Sequence, residues 1–312
     1  MFSLQRAILE TVAYADALNR PLTPFEIWRN LLDSDGLSCI NRVSLVEILE
    51  ALESSFLRKR LSFANGFVFL RGREVNLLSR RTYREKFSDR QIMRAQKVAR
   101  ILRYIPFVRM VAITGSLSAK SSDRESDWDF FMILAAGQIW TGRALVAGIL
   151  HILGLRRHGQ HVANRACLNY WITDDALEIS EHDLFGSGEY SSLIPLFGDS
   201  TFRKFEEENM AWISSFRPLF APSQARHLLS VSDTRLSRAI RTLLERICSA
   251  RFLEDKFRSI QHAKILSNPK TRWSGSRIEA TDKALVFLPR PAAPRVFDAF
   301  RRSLAEVEAN VK

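Results

Sequence analysis

Two apolar runs, Val108 to Thr114 and Trp128 to Leu134, bracket a Gly115-Ser116 step and a polar loop, and Asp127-Trp-Asp129 stands where the second run opens. Both runs have the length and composition of buried strands. In a strand, residues i and i+2 face the same side, so Asp127 and Asp129 are presented next to each other. Adjacent carboxylates repel unless a positive charge sits between them. A hard divalent cation meets that need, and Mg²⁺ (or Mn²⁺) takes only one or two protein carboxylates when substrate phosphates complete its shell. Gly115-Ser116, at the end of the preceding strand, suits close approach of the backbone to a phosphate. The segment therefore offers a phosphate grip and a metal grip about a dozen residues apart.

Gly115-Ser116, ten intervening residues and then Asp127-x-Asp129 resembles the signature of the DNA polymerase beta-like nucleotidyltransferase superfamily. More broadly the chain is similar to uncharacterised bacterial predicted nucleotidyltransferases with an N-terminal winged-helix-like region. That wider likeness rests on Ile105-Pro-Phe-Val-Arg109, Cys167-Leu-Asn-Tyr170 and Leu193-Ile-Pro-Leu-Phe-Gly198. The resemblance implies transfer of a nucleoside monophosphate from a nucleoside triphosphate to a hydroxyl acceptor. Asp127 and Asp129 would hold Mg²⁺ (or Mn²⁺), and Gly115 and Ser116 would bind the triphosphate. The family often has a basic-plus-glycine pair where this chain has Ala119 and Lys120. Lys120 is then either a triphosphate contact or a solvated loop lysine. Many active members also carry a third acid on the next core strand. Here that strand is Ala166 to Ile172, and its inward polar residue is expected to be Asn169. Asparagine can offer a carbonyl oxygen to a metal but cannot act as a general base. Asp174 and Asp175, just after that strand, are expected to form a turn.

The chain has 312 residues and a formal net charge of +12. Between Phe56 and Arg109 there are fifteen Lys or Arg and three acids, so this segment alone carries +12 and the remainder is balanced. A concentrated basic stretch is a footprint for phosphates, RNA or DNA first, or simply a solvated helix face. Acidic lipid is the least favoured partner, because no strong amphipathic anchor is evident beside the charge. Cys39, Cys167 and Cys248 are few and odd in number, which argues against a disulfide framework and suits a reducing cytoplasm. Arg6, Glu10 and Asp16 interrupt any signal-peptide core, and Ile139 to Leu155, with Arg143 and His151, is too short and mixed to span a membrane.

The fold expected is α+β: an N-terminal winged-helix-like domain over 1–87, a small mixed-sheet nucleotidyltransferase core over 88–220, and a C-terminal helical region over 221–312. The N-terminal helices are Leu4 to Leu18, Phe25 to Leu32 with Thr23 as cap and Asp33-Ser-Asp-Gly36 as stop, and a third capped by Ser44 with Glu47 three residues on. Strands Leu61 to Phe63, Gly66 to Leu70 and Val75 to Leu78 follow, then a basic helix from Ser88 to Tyr104. Glu47, Glu50 and Glu53 on the would-be recognition helix disfavour insertion into a DNA groove. Further helices are expected at Gly137 to Leu155, within Glu189 to Phe197 and at Thr201 to Phe216. A long helical stretch, Leu236 to Leu266, is expected to pack across the core. Ser267 to Ala280 reads as a loop, Ala284 to Leu288 as a strand and Val296 to Val311 as a helix. His158 and His161 lie in a polar turn without a matching cysteine or carboxylate and are read as loop histidines. Two further functions stay open beside the enzyme: a degenerate nucleotide- or nucleic-acid-binding protein, and a winged-helix regulator.

Overall fold

The structure is a computed structural model that describes residues 2–33, 43–74, 76–222 and 228–309. The N-terminal part contains α1 (Phe2–Ala17), α2 (Pro24–Arg29), α3 (Leu45–Leu52), α4 (Ser55–Arg58) and the hairpin β1 (Leu61–Ala64) and β2 (Phe67–Leu70). Thr23 and Ser44 begin their helices with complete capping boxes, each closed by the glutamate three residues on. The expected stop at Asp33-Ser-Asp-Gly36 falls largely on residues outside the described set, as does Cys39. Ile8, Val12, Ile27, Ile48 and Leu57 share one apolar core beneath the hairpin, and Leu22 bridges Val68 as a third short edge. Glu47, Glu50 and Glu53 are exposed, together with Val46 and Leu49, so the free face of α3 is acidic and apolar.

Of the expected strand Val75 to Leu78, Val75 lies outside the described residues and Asn76 to Leu78 is helical. From Asn76 the chain enters α5 (Asn76–Leu102), which runs on through the basic segment. Ile92, Ala95, Val98, Ala99 and Leu102 form its apolar stripe, while upstream of Ile92 the buried side is mostly polar, with Leu78, Arg81, Ser88 and Gln91. A helix continues there because no glycine or proline interrupts the run from Asn76 to Leu102 and Arg81 anchors its first half by an ion pair to Glu26.

A six-stranded mixed sheet forms the centre, in the order β6-β3-β4-β5-β8-β7. Its strands are β3 (Val108–Ile113), β4 (Trp128–Leu134), β5 (Ala166–Thr173), β6 (Ile194–Phe197), β7 (Arg277–Ala280) and β8 (Ala284–Leu288). β4 and β5 are parallel, and the other pairs are antiparallel. The connection between β4 and β5 is α7 (Ile139–Ile152), as a parallel pair requires. Ile194–Phe197, expected within a helix, is an edge strand. The helix there is α8 (Leu184–Ser191), which ends earlier. Pro195 cannot donate to a ladder and is confined to such an edge.

The remaining helices are α6 (Gly115–Ser118), α9 (Asp199–Phe216), α10 (Arg235–Cys248), α11 (Arg251–Ser267) and α12 (Ala293–Ala309). The C-terminal region is thus not helical throughout. It adds β7 and β8 to the central sheet, and part of the stretch read as a loop, Arg277–Ala280, is β7. α12 returns to the N-terminal part, where Ser303 donates to Asp16 at 2.8 Å and Tyr14 meets Phe300 edge-on. Leu236 to Leu266 is broken at Ser249-Ala250: its second half packs on the core as expected, through Phe257 and the buried Ile265, but its first half does not bury an apolar face there. Leu236, Leu243 and Ile247 are 63%, 59% and 65% exposed. No helix among the described residues is long and apolar enough to cross a membrane.

Candidate functional site

The end of β3 and the start of β4 meet at one edge of the sheet. Ile113 pairs with Phe130, and Thr114 donates its N–H to the Asp129 carbonyl at 2.9 Å. The Gly-Ser step and the carboxylate pair, twelve positions apart in the chain, are therefore neighbours in space. Gly115 has φ +67°, and a Cβ added there would lie 2.7 Å from Asp129 Oδ2. Both the backbone angle and the space demand glycine. Ser116 takes the Ser121 N–H on its carbonyl at 2.8 Å, which folds the following loop back beneath it.

β5 lies parallel to β4 and brings Cys167 opposite Asp129. A register shift between Asp129 and Phe131 then carries Asn169 to the same place. Asn169 Nδ2 donates to Asp129 Oδ1 at 3.2 Å, while its own Oδ1 is buried without a hydrogen-bond partner. Ligand atoms of Asp127, Asp129 and Cys167 all lie within 4.8 Å of one another, close enough to share one ion. The Arg157 guanidinium spans this group, 2.6 Å from Asp127 Oδ2 and 3.5 Å from Cys167 Sγ.

A further carboxylate enters from α8. Glu189 accepts from Thr114 Oγ1 at 2.9 Å and from the Gly115 N–H. Burial, then the charges of Asp127 and Glu189, push the Asp129 carboxyl from 3.8 up to about 7. Glu189 is also raised by burial, against the two hydrogen bonds it accepts. Burial and the neighbouring carboxylates raise the Cys167 thiol strongly. Burial opposes the charge of Arg157, but Asp127 and Cys167 outweigh it and hold the guanidinium more firmly protonated than usual. The site is an excess of negative charge with one tethered cation on its rim.

Gly115, Ser116, Asp129, Asn169 and Glu189 line a cavity of about 610 Å³ that continues past Tyr170 and Tyr190 to Tyr14 and Arg20 of the N-terminal part. It lies between the sheet edge, α1, α8 and the start of α12.

Of the residues singled out in the sequence, Gly115, Ser116, Asp127, Asp129 and Asn169 converge here. Lys120 does not point to the Gly-Ser step: its Nζ pairs with Asp89 on α5 at 3.1 Å. Asp174 closes a turn by accepting from the Ala136 N–H at 2.8 Å. His158 and His161 pair with each other across a small bridge, away from the carboxylates. Sequence reasoning missed Cys167, Arg157 and Glu189. Cys167 carried a signal, since it stands two residues before Asn169 on one strand and so shares its face. Arg157 and Glu189 reach the site from a loop and a helix whose placement no local pattern records.

Comparison with protein-family models, with curated proteins and with solved structures gives no match for this chain.

Arg157 and a bound cation would compete for Asp127. The pair is half-exposed, with 46% of the arginine side chain accessible, so it is a weak one. Replacing Arg157 with glutamine is expected to tighten Mn²⁺ binding by about five-fold, the equivalent of one exposed ion pair. Isothermal titration with Mn²⁺ measures this directly. Equal affinity in the two proteins would show that Arg157 does not guard the carboxylates.

Proposed function

We propose that this protein is a metal-dependent nucleotidyltransferase that moves a nucleoside monophosphate from a nucleoside triphosphate to a hydroxyl acceptor. The observation that carries this reading is the contact between the Gly-Ser step and the carboxylate pair. Gly115 lies so close to Asp129 that even a methyl group would collide with its Oδ2. A phosphate at that backbone and a cation on those carboxylates would therefore touch.

The donor set fits such a cation. Two carboxylates suit Mg²⁺ or Mn²⁺, and the nearby Cys167 adds a softer donor that makes Mn²⁺ the better probe. The raised Asp129 carboxyl and the guanidinium on Asp127 both report a site short of positive charge. When bound, the metal would supply charge neutralisation on the phosphates. The chain's own residues do the rest. Asp127 and Asp129 orient the ion, and the small Gly115 leaves the phosphate room. Asn169 holds Asp129 by its Oδ1, and the cavity beyond Tyr170 and Tyr190 accommodates the organic part of a substrate. Glu189 is a carboxylate beside Asp129 that Asn169 cannot replace as a proton acceptor. A polyanionic acceptor such as RNA or DNA would be held by the exposed Lys86, Arg90, Arg94, Lys97 and Arg100 of α5, with affinity falling steeply as salt rises.

One observation favours a second reading, a nucleotide-binding protein without turnover. The chain's own groups already stand on both grips: Arg157 on Asp127, and Glu189 on the Gly115 N–H. The deciding experiment incubates the protein with each of the four labelled ribonucleoside triphosphates, Mn²⁺ or Mg²⁺, and mixed RNA, protein and small-molecule acceptors. Release of pyrophosphate that chelation abolishes supports the transferase. Triphosphate binding with no pyrophosphate from any mixture supports the binding protein, and neither outcome leaves both readings standing.

A further inference from the structure

α10 is mounted with its polar face inward. Ser237, Arg241 and Glu245 recur every fourth residue on the inward side: Ser237 closes the start of the helix, and Arg241 and Glu245 attach it to the core. Ser237 is fully buried and bonds to Asp233 at 2.6 Å. Arg241 donates to the Arg103 carbonyl at 2.7 Å. Glu245 accepts from the Phe107 N–H at 2.8 Å and from Arg109 at 2.6 Å. Arg109 and neighbouring arginines hold Glu245 below its ordinary range although burial opposes this, so the anchor is charged at neutral pH.

The opposite face is apolar and looks outward. Leu236, Ile240, Leu243 and Ile247 follow a 4-3-4 spacing, which keeps them on one stripe of about 16 Å. Leu236, Leu243 and Ile247 are more than half exposed. The exposure continues past the break at Ser249-Ala250 onto α11, where Phe252 is 70% and Ile260 55% exposed. α11 itself is held on the core by Phe257 and Ile265 as well as by a carboxylate. Its Glu254 accepts from the N–H groups of Trp140 and Thr141 at the start of α7, at 2.9 and 2.8 Å. A helix mounted polar side inward leaves an apolar surface for something else to cover.

Charge identifies the occupant. Arg235, Arg238 and Arg246 flank the stripe on the exposed half of α10, and the helix's sole carboxylate, Glu245, is committed to the core. A second copy would bring the same arginines towards each other. An amphipathic helix with leucine and isoleucine on one side, arginine beside them and low overall hydropathy is the form that lies in a lipid–water interface. The chain's net charge of +12 adds long-range attraction to an anionic surface. A surface extending over two successive helices also suits a lipid sheet better than the groove a single partner helix would need. We infer that α10 and the start of α11 form a peripheral docking surface for an anionic membrane. This is independent of the nucleotidyltransferase reading, because none of these residues lines the cavity at Asp129.

The test is co-sedimentation of the full chain with vesicles of phosphatidylcholine alone, and with vesicles that also contain phosphatidylglycerol. Binding is expected to the mixed vesicles only. The double variant L243E/I247E should lose at least ten-fold in partitioning, and R238E/R246E a similar amount, at roughly five-fold per arginine. All four side chains are exposed, and a melting curve matching the parent checks that each variant folds. R90E/R94E on α5, which lowers the net charge equally, should lose far less than R238E/R246E. Absence from the vesicle pellet overturns the inference. So does a loss in R90E/R94E equal to that in R238E/R246E, which would make the effect one of general charge. A dimer in light scattering that L243E/I247E dissolves would assign the surface to a second copy and overturn it as well.

Discussion

Asp129→Asn is expected to abolish metal-dependent turnover while making the protein more stable above neutral pH. On the proposed function, loss of one of two metal-holding carboxylates costs about 100-fold or more in rate. The gain in stability follows from the raised carboxyl. In the unfolded chain Asp129 ionises near 3.8, but in the fold only near 7. Below 3.8 both states hold the proton and the side chain costs nothing. Between 3.8 and 7 the unfolded state has lost its proton and the folded state keeps it, so stability falls as pH rises. Above 7 the folded state carries the charge, and the whole penalty is present. Three units correspond to about 4 kcal/mol at roughly 1.4 kcal/mol per unit, and sharing with Asp127 and Glu189 lowers this to about 2–4 kcal/mol. Asparagine has the shape of the protonated acid and keeps an oxygen for Asn169. Urea unfolding of both proteins at pH 4 and pH 8 should give similar midpoints at the lower pH and a higher midpoint for Asp129→Asn at the upper. Mn²⁺ should stabilise the parent at pH 8 and leave Asp129→Asn nearly unchanged. A variant less stable than the parent at pH 8 would show that Asp129 is not held under this strain.

Gly198→Ala is expected to have the largest effect on stability of any alanine substitution at a glycine among the described residues. Gly198 turns the chain from β6 into α9 with φ +86°. A Cβ there would stand 2.1 Å from the Arg109 carbonyl oxygen and 2.8 Å from Met110 Cα. Both atoms are backbone of β3, which is hydrogen-bonded on each side, to β4 and β6, and cannot give way. The left-handed backbone costs about 1–2 kcal/mol in a residue with a side chain, and the collision adds about 1–3 kcal/mol. A loss of about 3 kcal/mol or more is expected in urea unfolding. Gly66→Ala separates the two contributions: it has φ +79° but nothing within 4 Å of an added Cβ. It should cost only the backbone part, about 1 kcal/mol. Equal losses at the two positions would refute the collision with β3.

Strands β3, β4, β5 and β8, the capped helices α2 and α3, and the convergence of Gly115 with Asp129 were all legible in the sequence. Each rests on a local pattern: an apolar run, a capping box, or a period of two that sets two carboxylates on one face. The errors share a different origin. Asn76 to Phe87 joined a helix because it packs on the N-terminal part, with Leu78 buried and Arg81 paired to Glu26 of α2. Ile194–Phe197 became a strand because β3 offered it an unpaired edge. Lys120 turned to Asp89, and Glu189 arrived beside Asp129, because helices α5 and α8 pack where they do. None of these partners stands within a few residues of the group it meets.

By itself the sequence determined where the acidic site lies, since strand geometry forces Asp127 and Asp129 together. It also determined that the α5 segment would be basic, because charge is carried by composition alone. Only the tertiary structure decided what surrounds that site and what remains uncovered. Glu189, Cys167 and Arg157 come to Asp129 through packing between distant elements. α10 shows Leu236 and Leu243 to solvent because Arg241 and Glu245 find their partners on the core and Ser237 is buried beneath it. Helical periodicity shows that a helix has an apolar face, but only the contacts of its polar face reveal which side is turned outward.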